Sequence, residues 1–246
     1  NLSRLRLSIT MPPLLIRLLK LLISFLLPLV LVVSSVRLLV TDQYLSSEYG
    51  KTDFPPDPFG FDQAQRLTYA SANIEYVRES QPIDALANQQ SNGSPLYNAR
   101  ELSHMRDVQN VYQSVWRLWQ FALALVLVDS VALSWRRETR AALAAAIQWG
   151  GLISAALVAV VGLLAVVAWQ LWFVAFHKIL FAAGTWTFNY SDTLIRLFPE
   201  KFWFDAAMTI SGFTLIGGLL AAFIGWRLRE GVRAASTHIQ PSTPQP

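Results

Sequence analysis

The sequence predicts an all-α membrane protein: four transmembrane helices with a mostly helical extracytoplasmic insertion between helices 1 and 2. Three observations predict it. Of 246 residues, 53% are hydrophobic and only 15% charged, so most of the chain must face lipid or its own helices. Four apolar stretches are each long enough to cross the hydrocarbon, which needs about 20 helical residues. Arg and Lys gather at one set of their ends, as the positive-inside bias requires.

The first stretch covers 14–40, after an N-terminal segment 1–13 that holds Arg4 and Arg6. Residues 1–10 precede an internal Met11 and read as an upstream extension or the edge of a fragment. Arg17 and Lys20 in the first turns can snorkel to headgroups, and Pro28 is a site for a kink. The apolar run is too long for a signal peptide, and Val40-Thr41-Asp42 is no small-x-small cleavage site, so an uncleaved anchor is expected. Segment 41–112 holds ten acidic and five basic residues and is too long for a bare loop, so it should fold as an extracytoplasmic domain. Within it, 62–79 reads as an amphipathic helix. Asp62 is the expected N-cap, Leu67, Ala70, Ile74 and Val77 form the apolar face, and Pro82 follows the end.

A helical pattern starts near Leu102 and runs into span two, 113–135. A short loop, 136–142, carries Arg136, Arg137 and Arg140. Span three is expected over 143–176, longer than a bilayer needs, so it must tilt or protrude. Segment 177–205 is an interfacial loop, with a short helix capped by Asp192 and stopped before Pro199. Span four covers 206–228. Its Gly217, Gly218, Ala221, Ala222 and Gly225 provide small-xxx-small spacing for close helix approach. The tail 229–246 is basic at its start and Pro- and Ser-rich at its end, a composition expected to be disordered.

With four spans, the basic termini and the 136–142 loop fall on one side. The expected orientation therefore puts both termini in the cytoplasm and segments 41–112 and 177–205 outside. The basic residues form no single run, so nucleic acid is not an expected partner. The absence of Cys excludes disulfides, thiolate metal sites and a Cys nucleophile.

Two of the three histidines lie just outside spans, and the topology puts both at one face. His104 precedes span two, with Asp107 one turn on, where a carboxylate can fix an imidazole tautomer and raise its basicity. The same pair also fits an ordinary solvated helix start. His177 ends span three behind Trp169 and Trp172, a place that equally suits a histidine stabilising a helix C-terminus. His238 falls in the tail and has no expected role. Arg37 and Arg117 sit at membrane depth, where a charge is costly; each is read as a contact for a phosphate or ester carbonyl, or as snorkelling outward. Asp129 is expected to pair with nearby Arg residues. Trp186 and Asp192 in the second outer segment complete the candidate set.

The run Glu101-Leu102-Ser103-His104-Met105-Arg106-Asp107-Val108 resembles the Glu-Leu-x-His-Met-x-Asp-Val pattern of the lipoprotein intramolecular transacylases, four-span bacterial membrane proteins. Phe176-His177, Phe181, Trp186 and Asp192-x-Leu194-Ile195-x-Leu197-Phe198-Pro199-Glu200-x-Phe202 continue the resemblance, which covers roughly 14–228. It departs at Ala182-Ala183-Gly184, where more polar residues are expected, and in the N-terminal extension and basic tail. The resemblance implies a diacylglyceryl-modified lipoprotein N-terminus as membrane partner. It also implies transfer of the sn-2 acyl chain to the α-amine of the same Cys, giving a lyso-form lipoprotein. By resemblance His104 and His177 are the catalytic pair. No cofactor or metal is implied. Two other readings fit the composition: a metal-dependent lipid hydrolase with His104, His177 and Asp107 as ligands, and a non-catalytic scaffold that binds a partner through its acidic outer domain.

Overall fold

A computed structural model describes residues 11–182 and 184–237. The helices are α1 (Pro13–Leu39), α2 (Asp42–Tyr49), α3 (Gln63–Glu79), α4 (Asp84–Ala87), α5 (Ala99–Trp135), α6 (Arg140–Val167), α7 (Trp169–Leu180), α8 (Thr193–Leu197) and α9 (Glu200–Thr237). A two-stranded hairpin, β1 (Gln90–Ser91) and β2 (Ser94–Pro95), precedes α5. Among the described residues, four helical stretches are long and apolar enough to cross a membrane: α1, α5, the 31 residues ending at Val167, and α9.

The spans pack through small residues and a few buried hydroxyls. Lipid tails are as apolar as Leu, so close van der Waals contact and hydrogen bonds must hold the helices together. A Cβ on Gly151 of α6 would lie 2.4 Å from the backbone of Ala222 and Gly218 on α9, and one on Gly225 would lie 2.4 Å from Gln148 N. The α6–α9 contact therefore uses the predicted small face, in the register Gly218, Ala222, Gly225; Gly217 faces Leu31 of α1 instead. Ser24 of α1 donates to the Ala146 carbonyl (3.2 Å), and Thr214 of α9 bonds Ser35 of α1 (3.1 Å).

Helix α5 has 37 residues and extends about 55 Å, far beyond the hydrocarbon. Its first turns stand clear of the apolar run and join a cap built from α2, α3, the hairpin and α8. The cap core holds Tyr76, Val77, Leu86, Leu96, Tyr97, Met105, Leu194 and Leu197. Helix α3 starts at the expected Asp62 with a full capping box, Asp62 accepting from Gln65 N and Gln65 accepting from Asp62 N. The expected apolar face packs inward, with Ala70 and Val77 buried and Leu67 and Ile74 against the core, and the buried stripe widens to take in Arg66, Asn73 and Tyr76. Arg66 is satisfied by the carbonyls of Pro55 (2.7 Å) and Arg196 (3.1 Å) and packs on the rings of Tyr49 and Phe54. Gln109 and Gln113 of α5 donate to the last carbonyls of α3, at Tyr76 and Val77. Thus polar side chains, satisfied one by one, lock the cap to the bundle.

Three expectations differ from the structure. The single helix expected over 143–176 breaks at Ala168 (φ −141°, ψ 50°), so α7 is a separate helix. The apolar run exceeds what the bilayer needs, and α7 carries an aromatic ladder (Trp169, Trp172, Phe173, Phe176) suited to an interface. Helix α9 continues through Arg229 and Arg233 to Thr237, where a disordered tail was expected; the rest of that tail, with His238, lies outside the described residues, as do residues 1–10. Arg229 bonds Gln148 of α6 (2.7 Å), which helps carry α9 on. Asp129 is buried with Oδ2 unpartnered, and no Arg pairs with it among the described residues.

Candidate active site

The site starts from the way α5 begins. Asn98 caps α5 by accepting from Arg100 N and Glu101 N, both 3.0 Å, while Glu101 Oε2 accepts from Asn98 N at 2.8 Å. Glu101 Oε1 also accepts from Leu194 N at 2.7 Å, so one buried carboxylate caps α5 and α8 together. Asp192 occupies the N-cap position of α8 but makes no cap hydrogen bond there, correcting the expectation. It accepts instead from Asn189 N (2.8 Å), from Asn98 Nδ2 (3.2 Å) and from Arg100 (3.2 Å). Both carboxylates thus fasten the 181–198 loop to the start of α5.

That fastening lays aromatic residues of the loop on the histidines. His104, one turn after Glu101, meets Phe181 and Phe188 edge-on at centroid distances of 4.9 and 5.3 Å. His177, near the end of α7, meets the same Phe181 at 5.6 Å and Trp186 at 5.0 Å. The two imidazoles therefore share one aromatic neighbour. His177 Nδ1–H donates to the carbonyl of Phe173, one turn back, at 2.8 Å. With that proton on Nδ1, Nε2 holds a free lone pair. His104 is 9% exposed, and its Nδ1 is buried without a partner. A buried lone pair is tolerated unpaired more readily than a buried N–H, so this imidazole carries its proton on Nε2.

Burial keeps both rings neutral. It pushes His104 down to about 4, helped by the nearby His177. Burial also pulls His177 below its ordinary value, against the opposing effect of the Phe173 hydrogen bond. Trp186 contributes a buried Nε1–H with no partner, beside His177. The result is a lone pair on His177, an unpaired N–H on Trp186 beside it, and His104 across the shared Phe181 ring.

The remaining expected residues stand elsewhere. No hydrogen bond joins Asp107 to His104 among the described residues, so the imidazole–carboxylate pair does not form. Arg37 donates to Tyr112 Oη (3.0 Å) and lies 3.9 Å over the Trp116 ring, about 12 Å further along α5 than His104. Arg117 is exposed and bonds Ser114 of its own helix (3.3 Å), as a snorkelling side chain does. Among the described residues, no three His, Asp or Glu side chains gather to hold a metal, so His104, His177 and Asp107 do not form a ligand set.

The model of the lipoprotein intramolecular transacylase family, Lit, matches residues 21–203, three-quarters of the chain. The chain belongs to this family. It is an integral membrane enzyme of the transacylase class, and the matched segment contains both histidines, Trp186 and Asp192. A protein of Aquifex aeolicus (strain VF5) with no described function is 26% identical over 210 residues, covering 85% of this chain and 94% of its own. The crystal form of Bacillus cereus Lit shares the fold with a TM-score of 0.76 at 19% identity, covering 91% of this chain and all of that one. Two variants of that protein, with one histidine changed to Arg or to Ala, give TM-scores of 0.64 and 0.63.

Sequence reasoning missed two features: the double cap made by Glu101 and the tautomer lock from the Phe173 carbonyl. Asn98-x-x-Glu101 is a readable capping-box pattern. The Phe173 carbonyl has no sequence signal beyond its i−4 position.

Proposed function

We propose that this enzyme moves the sn-2 acyl chain of a diacylglyceryl-Cys lipoprotein to the α-amine of that same Cys, with His177 as proton shuttle. The observation that carries this reading is the Nδ1–H bond from His177 to Phe173, which leaves Nε2 as a base beside an unpaired-donor cluster. A free α-amine has a pKa of about 7.7–8.0, so part of it is neutral near pH 7.5 and able to attack. Its nitrogen bonds to the ester carbonyl carbon, and His177 Nε2 takes the proton that the amine must lose. The carbonyl oxygen gains negative charge, which Nε2–H of His104 and Nε1–H of Trp186 stabilise by hydrogen bonds. The C–O bond to glycerol then breaks, and His177 returns the proton to the departing glyceryl oxygen. One proton moves and one acyl bond is exchanged, with no acyl-enzyme.

His104 must stay neutral to act as a donor without losing its proton, and its burial provides that. Nucleophile and ester belong to one molecule, so orientation supplies much of the acceleration. Asp192 acts indirectly, by holding the loop that carries Phe188 and Trp186. Arg37 orders the α1–α5 contact below the site, where an acyl ester or headgroup can meet it. In this reading both termini are cytoplasmic and the histidines sit at the outer face of the bacterial cytoplasmic membrane, which the Arg and Lys at the span ends support.

The test is expression in a bacterial strain whose lipoproteins stop at the diacylglyceryl form, followed by tandem mass spectrometry of a lipoprotein's N-terminal peptide. The proposal predicts unchanged total mass with one acyl chain on the α-amine. A diacylglyceryl peptide left unaltered by well-expressed enzyme refutes it.

A further inference from the structure

We infer that the polar cavity in the cap receives the polypeptide that follows the lipidated Cys, as an extended, uncharged stretch of backbone. This rests on the transacylase reading and adds a peptide subsite to it. The cavity holds about 370 Å³ and is lined by residues of α3, the hairpin turn, the start of α5 and the 191–196 segment.

Its charged walls are already committed inside the protein. Glu101 caps two helices, Asp192 is tied to Arg100 and Asn98, and Arg196 pairs with the fully buried Asp57 at 2.8 Å. What the walls leave free is amide and hydroxyl chemistry. Among the described residues, Ser91, Asn92 and Ser191 have side chains with no protein hydrogen bond, and Gln65 uses only its carbonyl oxygen, leaving Nε2 open. Such groups both donate and accept, which matches alternating N–H and C=O groups of a peptide backbone and gives no grip to an ion.

Position supports the same occupant. Asn98 and Glu101 on the cavity wall precede His104 by six and three residues, about 9 and 5 Å along α5 on the side away from the bilayer. The two sites share a wall: Arg100, paired with Asp192, lies over the ring of Phe188, which packs on His104. With acyl chains in the bilayer and the Cys amine at the histidines, the chain must leave outward past this wall. An extended peptide covers 9 Å in about three residues, so the third and following residues after the Cys reach the cavity.

The experiment uses the full-length enzyme in nanodiscs with two substrates. One is a diacylglyceryl-Cys peptide of ten residues, Ser- and Gly-rich and uncharged; the other is diacylglyceryl-Cys N-methylamide, which has no following residue. The expected wild-type KM is about tenfold lower for the long substrate, the equivalent of one or two net hydrogen bonds, at similar kcat. Ser191→Trp, filling the cavity from an exposed position, should raise KM for the long substrate to that of the short one and leave the short one unchanged. Ser91→Trp fills it from the hairpin and should do the same, which keeps the test valid if one variant misfolds. Equal wild-type KM values for the two substrates, or a Trp variant that folds and alters both substrates alike or neither, overturn the subsite. Turnover of the short substrate separates the two levels of the account. If wild-type enzyme converts neither substrate, the transacylase reading fails and the subsite falls with it.

Discussion

Changing Glu101 to Gln removes one negative charge and replaces one carboxylate oxygen with an NH2 group. The wild-type carboxylate accepts from Asn98 N at 2.8 Å and Leu194 N at 2.7 Å while almost wholly buried. Gln can satisfy only one of these two N–H groups, and its NH2 then faces the other. The lost charge-assisted bond is worth about 1.5–3 kcal/mol, and the stranded N–H adds about 1–3 kcal/mol. Easier burial of a neutral amide offsets part of this, because a desolvated carboxylate is costly. The net loss should be about 2 kcal/mol, or roughly 4–8 °C in Tm for a chain of this size. Thermal unfolding in detergent measures the total, and hydrogen exchange on a peptide covering 193–198 measures where it falls. Exchange should quicken at Leu194, and acyl transfer should slow because the loop that lays Phe188 and Trp186 on the histidines loosens. Unchanged Tm and unchanged protection at Leu194 would refute the double-cap argument.

Other predictions follow from the same geometry. In histidine-selective NMR on a His238→Gln background, both remaining imidazoles should titrate below 6.5, with His104 near pH 4. The unfolded chain binds more protons between those depressed values and 6.5, so stability should fall as pH falls through that window and stay flat above it; titration of either ring above 6.5 contradicts the buried, carboxylate-free site. Asp107→Asn should change kcat less than about threefold, since Asp107 makes no hydrogen bond to His104; a loss of a hundredfold, the scale of general acid–base effects, would restore the imidazole–carboxylate pair. Gly225→Leu should cost about 3 kcal/mol or prevent folding, because its Cβ alone would lie 2.4 Å from Gln148 N; Gly212→Ala on the same helix, with nothing within 4 Å, should be neutral or slightly stabilising by thermal melting.

The elements legible in sequence are those whose cause is local. Hydropathy marks four spans because lipid permits little else, and Asp62-x-x-Gln65 marks the start of α3 because a capping box is complete within four residues. The break at Ala168 was hidden because α6 and α7 are both apolar, so composition does not change where the helix ends. The burial of Arg66 and Asn73 has no local sign, because their partners, such as the Arg196 carbonyl and Tyr97 Oη, come from distant segments. The site divides in the same way. Topology brought His104, His177 and Trp186 to one face, but helix spacing suggested an Asp107 contact that side-chain direction does not make. Asp192 had the sequence position of a cap, while Glu101, ninety-three residues before the Leu194 amide it accepts from, performs it. Arg37 is absorbed by Tyr112 and Trp116, a pairing that only the packed α1–α5 contact reveals.

The most direct measurement is a crossover experiment with purified enzyme and two pools of diacylglyceryl-Cys peptide, one heavy in the acyl chain and the other heavy in the peptide. Wild-type enzyme should give N-acylated products in which each acyl chain stays with its original peptide. His177→Ala should lower the rate by about 10²–10⁴-fold, the loss expected for a proton-transfer group, while His104→Ala should slow it less if the donor role is right. Wild-type turnover by His177→Ala, or scrambling of the labels between pools, would contradict the account.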